Sequence, residues 1–283
     1  MPSVVITGAS TGIGWATSKL LLDRGFRVFG SVRKSADAER LTREFGANFT
    51  PLLFDVTDEV EVLSAAREVR AALNGQTLAG LVNNAGIAVA GPLLELAAGE
   101  FRRQMEVNVI GPVIATQAFG PLLGSDASLT GPKGRIVMIS SVSGKVGAPL
   151  TAPYVASKHA IEGLSESLRR ELMLFGIDVI IVAPGPVKTP IWSKAEEADI
   201  SVYQNSPYFP ALQRIRKFML QLGEAGLPAE RIAGVIAAAL TSPRPKVRYQ
   251  ITPEPVQQLI GSVLPKRMLD RIIAKRLGLM PKA

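Results

Sequence analysis

Cysteine is absent from the 283 residues, and histidine occurs once, as His159. The first absence excludes disulfides, thiolate catalysis and cysteine-based metal sites. The second leaves a metal site dependent on carboxylates, so none is expected, and His159 reads as a packing or surface residue beside Lys158. No apolar run reaches the ~18 residues that a membrane span requires. Also missing are a Pro/Ser/Gly-rich bridge, a low-complexity tract and a repeat at fixed period, so residues 1–283 read as one domain of a length that α/β folds reach. With a strand expected from residue 3 or 4, no signal peptide is expected ahead of the fold, and the expected setting is cytoplasmic. Acidic residues are scarce at one end: residues 244–283 hold nine Lys/Arg against two acids, nearly all of the net charge of +8. The body is then close to neutral and carries no recognition motif, which argues against a nucleic-acid-binding protein.

What is present alternates. Short β-branched runs predict strands near 3–7, 27–31, 50–54, 79–83, 134–140, 177–183 and 247–251. Amphipathic stretches predict helices near 13–24, 36–45, 58–73, 99–123, 153–175, 228–241 and 256–277. This order implies an α/β fold, a doubly wound and mostly parallel sheet with helices on both faces. Ligands in such sheets bind beyond the carboxyl ends of the strands, and Thr7, Asn83, Ser141 and Pro184 all fall there. The first strand runs into Thr7-Gly8-Ala9-Ser10-Thr11-Gly12-Ile13-Gly14 and then a helix. Glycines in that turn let a pyrophosphate approach the amides at the helix N-terminus.

Proton transfer is written into a second stretch. Tyr154 and Lys158 lie one helical turn apart on one face, with Ser141 thirteen residues before the tyrosine. A neighbouring ammonium is expected to lower the phenol's pKa. A drop of two to three units from ~10 needs roughly 3 to 4 kcal/mol. A unit charge at about 4 Å in an effective dielectric near 20 supplies on that order. The pair could then exchange a proton near neutral pH.

Together these residues resemble the short-chain dehydrogenase/reductase family over residues 3 to 190. The glycine motif stands as Thr7-Gly8, Gly12 and Gly14, the central motif as Asn83-Asn84-Ala85-Gly86, the helix asparagine as Asn108, the catalytic run as Ser141, Tyr154 and Lys158, and the nicotinamide segment as Pro184-Gly185-Pro186-Val187-Lys188-Thr189. The epimerase and dehydratase branch, whose second glycine falls at the Thr11 position, is disfavoured. The resemblance implies a Rossmann fold of the steroid and retinoid dehydrogenase type and a hydride exchange between nicotinamide and a carbonyl/alcohol pair. It implies that Ser141 binds the substrate oxygen, Tyr154 moves the proton, Lys158 lowers the tyrosine pKa and binds the nicotinamide ribose, and Asn108 holds a water linking Lys158 to solvent. Cofactor contacts are implied for Gly8, Ser10, Thr11, Gly12, Ile13, Gly14, Arg33, Asp55, Val56, Asn83, Ala85, Gly86, Tyr154, Lys158, Pro184, Gly185, Val187 and Thr189.

NADP is the expected cofactor. The second strand ends with Val32 where NAD-binding relatives carry an acid, and Arg33 follows, able to grip a 2′-phosphate. Alternatively Arg33 and Lys34 are solvated loop cations. Asp55 resembles the family's adenine contact and could equally cap the next helix. Residues 190–228 are rich in apolar and aromatic side chains, among them Ile191, Trp192, Tyr203, Tyr208 and Phe218, and predict a substrate lid for a lipophilic molecule or a subunit interface. The stripe Val256, Leu259, Ile260, Val263, Leu264, Met268, Leu269, Ile272, Ile273 and Leu277 is accompanied by Lys266, Arg267, Arg271, Lys275 and Arg276. It either docks on the domain or a second subunit, or rests through residues 264–277 on an anionic membrane surface. A homo-oligomer is expected. Two other readings stay open: a catalytically idle NADP-binding redox sensor, and an NAD-dependent alcohol dehydrogenase of the same family.

Overall fold

The computed structural model describes residues 1–191, 199–253 and 264–281. Its strands are β1 (Ser3–Ile6), β2 (Arg27–Val32), β3 (Phe49–Leu53), β4 (Gly80–Asn83), β5 (Arg135–Ile139), β6 (Asp178–Pro184) and β7 (Arg248–Ile251). They form one sheet in the order β3-β2-β1-β4-β5-β6-β7 with every pairing parallel. The chain winds outward from β1 to β3, then crosses back to place β4 on the other side of β1. That reversal opens a crevice at the carboxyl ends of β1 and β4, the place where such sheets take ligands.

The helices are α1 (Gly12–Asp23), α2 (Ser35–Phe45), α3 (Glu59–Ala72), α4 (Ala98–Met105), α5 (Gly111–Phe119), α6 (Ala152–Glu171), α7 (Phe209–Glu224), α8 (Ala229–Thr241) and α9 (Lys266–Leu277). Alternation along the strands splits the core in two. Val5, Leu81, Ile136 and Met138 pack against residues of α3, α5 and α6 on one face. Val4, Ile6, Val82 and Val137 pack against residues of α1 and α8 on the other. Among the described residues no helix is long and apolar enough to cross a membrane.

Three departures from the expected elements matter. The single helix expected at 99–123 is α4, a π turn over Glu106–Ile110, α5 and a short 3-10 turn at Gly120–Leu123. The stretch 190–228, read only as a lid, contains the sixteen-residue α7. In the last expected helix α9 begins at Lys266, just after Pro265, while 256–263 and the lid residue Trp192 lie outside the described residues.

Candidate active site

The glycine turn is fixed from both sides. Gly8 and Gly12 have φ of +69° and +59°, a backbone that a side chain would strain. A Cβ on Gly14 would run into the Gly8 carbonyl oxygen and the Asn84 amide, and one on Gly12 would stand 3.1 Å from Thr189 Cγ2. Beneath the turn, Thr7 Oγ1 accepts from the backbone N–H groups of Asn84 and Ala85 at 2.9 and 3.0 Å. Asn84 Nδ2 donates to the Thr7 and Gly8 carbonyl oxygens at 2.8 and 3.1 Å, and the Gly8 N–H donates to Ser31 Oγ at 2.9 Å. Thr7, Ser31 and Asn84 thus brace a cradle whose expected contacts did not include them. Their signal was position: each ends or follows a strand of the crevice.

This cradle fits a dinucleotide. The Thr11 side chain makes no capping bond at the start of α1, so the first-turn amides remain for an anion, and the three glycines leave the volume that side chains would fill. Thr189 lies against Gly12, and Ala85 against Gly8, so three segments that are distant in sequence line one crevice. Two of the expected contact residues turn their side chains to other partners. Asn83 turns into the core, where Nδ2 donates to Thr116 Oγ1 at 3.1 Å and meets Met138 Sδ at 3.3 Å. Val56 packs against Gly111.

At the far end of β2, Arg33 is 65% exposed and lies 3.6 Å from Asp55. Asp55 also accepts from Thr57 N and Oγ1 at 3.0 and 2.8 Å. Burial pushes its carboxyl up, but the Thr57 bonds and the Arg33 charge outweigh this and hold it below the usual range. Helix α3 is capped by Asp58 instead, which accepts from Glu61 N at 3.0 Å.

The second constellation rises from β5 and α6. Pro153 in the first turn of α6 suits a helix start, and the helix then presents Tyr154, Lys158 and Glu162 at four-residue steps. Ser140 and Ser141 both reach α6, at positions about two turns apart. Ser140 Oγ donates to Glu162 at 2.8 Å, while Ser141 Oγ accepts from Ser143 N at 3.1 Å and stands close enough to the Tyr154 phenol to act on its pKa. Lys158 is buried; its Nζ donates to the Ile139 carbonyl oxygen at 2.9 Å and lies 5.7 Å from the centre of the Tyr154 ring.

The expected electrostatics are reversed here. Burial pushes the Tyr154 phenol up from its ordinary value, against the smaller opposing effect of the Ser141 bond. Burial also lowers Lys158, to about 8. Desolvation decides both shifts: it is the larger effect on the phenol and the one effect on Lys158, whose Nζ is turned to a strand carbonyl.

Asn108 sits in the π turn, a local widening that recurs at functional sites. Its Oδ1 accepts from Ile87 N at 2.9 Å, and Nδ2 donates to Ile87 O at 3.0 Å and Ser157 Oγ at 3.1 Å. Ser157 lies between Tyr154 and Lys158, so Asn108 reaches the catalytic helix through it. Both amide donors of Asn108 are taken, so a water leading to Lys158 would have to donate to an Asn108 oxygen, and Oδ1 has a second lone pair for it. His159 faces away: Nδ1 donates to Val155 O at 2.9 Å, and the ring lines a groove of about 580 Å³ with Val155, Asp270 and Ile273.

Comparison with known proteins agrees with this layout. Residues 2–200 match the short chain dehydrogenase family. The chain belongs to the short-chain dehydrogenases. It is therefore an oxidoreductase of alcohol/carbonyl pairs that uses a nicotinamide cofactor. This dehydrogenase is 38% identical over 278 residues, 98% of each chain, to a protein of Ornithobacterium rhinotracheale named NADPH-dependent 3-dehydrocapnine reductase. It is 32% identical over 287 residues to human retinol dehydrogenase 5, covering 95% of this chain and 87% of that one. A crystallised short-chain dehydrogenase of Streptomyces avermitilis superposes with a TM-score of 0.75 at 26% identity, over 97% of this chain and 94% of the other.

Proposed function

We propose that the protein is an NADP-dependent reductase of a lipophilic carbonyl compound, working through Ser141, Tyr154 and Lys158. The observation that carries the proposal is the convergence of Ser141, Tyr154 and the buried Lys158, whose Nζ lies 5.7 Å from the centre of the Tyr154 ring. When bound, the nicotinamide supplies or takes up the hydride. Ser141 and Tyr154 hold the substrate oxygen between them. A phenol kept protonated by burial is a proton donor to that oxygen as negative charge develops there, which favours the reducing direction. Lys158, charged at neutral pH, steadies the phenolate left behind. Asn108 orients the helix through Ser157.

For NADP over NAD, the support is Val32 and the exposed Arg33 at the end of β2, together with the name of the 38% relative. For a lipophilic substrate, the support is the cluster of Leu150, Ala211, Leu212 and Ile215, with Tyr203, Tyr208 and Met219 packed against it. Leu150 lies between Ser141 and Tyr154 in sequence and has φ of +63°, so the lid region is anchored on a strained residue of the catalytic loop. In this reading residues 1–283 act as one unit, with 190–228 as lid and 244–283 as an extension. The exposed Met173 and Leu174 after α6 suit contact with a second copy, which the mass in solution would test.

Helix α9 supports a peripheral contact with an anionic membrane. Its apolar stripe is divided: Ile273 and Leu277 join the Leu150 cluster, whereas Met268 and Ile272 are 52% and 49% exposed. Lys266, Arg267, Arg271, Lys275 and Arg276 are exposed as well, and Arg276 stacks 4.9 Å over the Phe218 ring of α7. Asp270, the acid of this helix, faces the groove beside His159. Cations around two exposed apolar side chains match an anionic surface.

The test is a screen of NADPH oxidation and NADP reduction against lipophilic ketones, aldehydes and alcohols, with cofactor binding followed by fluorescence. Turnover of a lipophilic pair with NADPH preferred supports the reading. Tight NADPH binding without turnover of any carbonyl would leave the redox-sensor reading, and a preference for NADH would leave the NAD-dependent one.

A further inference from the structure

Three successive residues at the end of β5 are tied to three positions of α6. Lys158 Nζ holds the Ile139 carbonyl oxygen at 2.9 Å, Glu162 accepts from Ser140 Oγ at 2.8 Å, and Tyr154 meets the Ser141 hydroxyl. Glu162 is the firmest member. It is only 3% exposed, and Arg248 of β7 grips both its oxygens, with Nε at 2.9 Å from Oε2 and Nη2 at 3.1 Å from Oε1. Lys145, in the loop after Ser141, approaches it at 3.6 Å. The loop also packs on it directly: a Cβ on Gly144 would stand 2.9 Å from Glu162 Cγ and 2.7 Å from Ser140 Oγ.

These ties are not equivalent once the enzyme works. In the reading above, Lys158 serves the cofactor ribose and the tyrosine, so its hold on Ile139 is given up or shared. Tyr154 and Ser141 turn to the substrate oxygen. The Ser140–Glu162 bond contacts no reactant and keeps its geometry throughout. Arg248 bonds both oxygens of the buried carboxylate, so Glu162 is held in place as the acceptor for Ser140.

We infer that Glu162, held by Arg248, is a positioning residue that sets the distance between Ser141 and Tyr154 through Ser140. The inference rests on the proposed roles of Ser141, Tyr154 and Lys158. Misplacing a reacting group by about 1 Å costs on the order of 100-fold in rate, so a loosened register shows in turnover before it shows in folding.

Two variants separate positioning from stability. Ser140→Ala removes the tie and leaves the Glu162–Arg248 pair intact. Glu162→Gln keeps an oxygen acceptor for Ser140 and breaks the charge pair. If Glu162 positions, Ser140→Ala lowers kcat roughly 10- to 100-fold with NADPH affinity and melting temperature close to the parent's, whereas Glu162→Gln lowers the melting temperature more and kcat less. A purely structural role gives the opposite order. A second readout needs no turnover: the alkaline ultraviolet titration that disappears in Tyr154→Phe reports the Tyr154 phenol. It moves to higher pH in Ser140→Ala, because the Ser141 bond that favours the phenolate is weakened. A Ser140→Ala protein with parental kcat and an unmoved phenol titration overturns the inference. A parent that turns over no carbonyl defeats the functional reading instead, and the phenol titration still decides whether the register depends on Ser140.

Discussion

Lys158 Nζ sits 2.9 Å from the Ile139 carbonyl oxygen and 5.7 Å from the centre of the Tyr154 ring. The cation is thus tied to the strand, and the phenol beside it is kept neutral by burial. A neutral phenol beside Ser141 is set to give a proton to a substrate oxygen, and the loss of that proton is what removing the hydroxyl should expose. Tyr154→Phe is expected to lower kcat by roughly 10²- to 10⁴-fold, the usual worth of general acid catalysis, with the NADPH dissociation constant little changed. Steady-state rates and fluorescence titration check this. Activity above about a tenth of the parent's would remove Tyr154 from the assigned role.

The same burial makes stability depend on pH. Lys158 titrates at about 8 in the folded chain, against ~10.4 when unfolded. Below the folded value both states carry the charge, and burying it costs on the order of 3 kcal/mol. Between the two values the unfolded chain binds more protons, so the cost is relieved and stability rises with pH. Tyr154 acts in the other direction only above its ordinary range, since its folded pKa is raised. Urea unfolding of the parent and of Lys158→Met should therefore show the parent gaining on the variant by about 3 kcal/mol between pH 7.5 and 10. A difference that stays flat across that window would contradict a buried, charged Lys158.

In the proposed reading Arg33 sets the cofactor preference. Its guanidinium is exposed and held loosely, 3.6 Å from Asp55, so a 2′-phosphate could take it over. Arg33→Ala should weaken NADPH binding by a charge-assisted bond, about 1.5 to 3 kcal/mol, or roughly 10- to 150-fold. NADH binding should hardly change. Adding Val32→Asp places a carboxylate near the ribose and should turn the preference towards NADH. Equal losses for both cofactors would show Arg33 to be a solvated loop cation with no part in the choice.

Much of the fold and cradle was legible because local chemistry determined it. The strand–glycine–helix pattern at residues 3–24 needs left-handed backbone at Gly8 and Gly12, and no other residue type provides it as freely. The π turn at Asn108 escaped, since apolar spacing runs unbroken through 99–123 and one extra residue per turn leaves no mark on composition. Helix α7 was hidden by a segment that opens with prolines and aromatics and reads as a loop. The pairing of Glu162 with Arg248 joins residues 86 apart, which no local pattern can announce. The upward shift of Tyr154 was missed for a related reason: helical spacing brings Lys158 near, but only the packed structure shows that the phenol is buried.

The outward face of α9 gives the last test. Each of its basic residues near an anionic surface contributes roughly 1 kcal/mol, a term that salt screens, while the exposed Met268 and Ile272 add a smaller apolar contribution that salt leaves in place. The intact protein should co-sediment with vesicles containing phosphatidylserine at low salt and not with pure phosphatidylcholine vesicles. Binding should weaken several-fold in half-molar salt. Arg271→Glu with Lys275→Glu reverses two charges on a face that touches neither the cradle nor Tyr154, so vesicle binding should be lost while turnover of a soluble substrate persists. If the folded, active parent ignores anionic vesicles at low salt, the face is not a membrane contact. If instead the mass in solution doubles and the same double variant restores the monomer, the partner is a second copy of the chain.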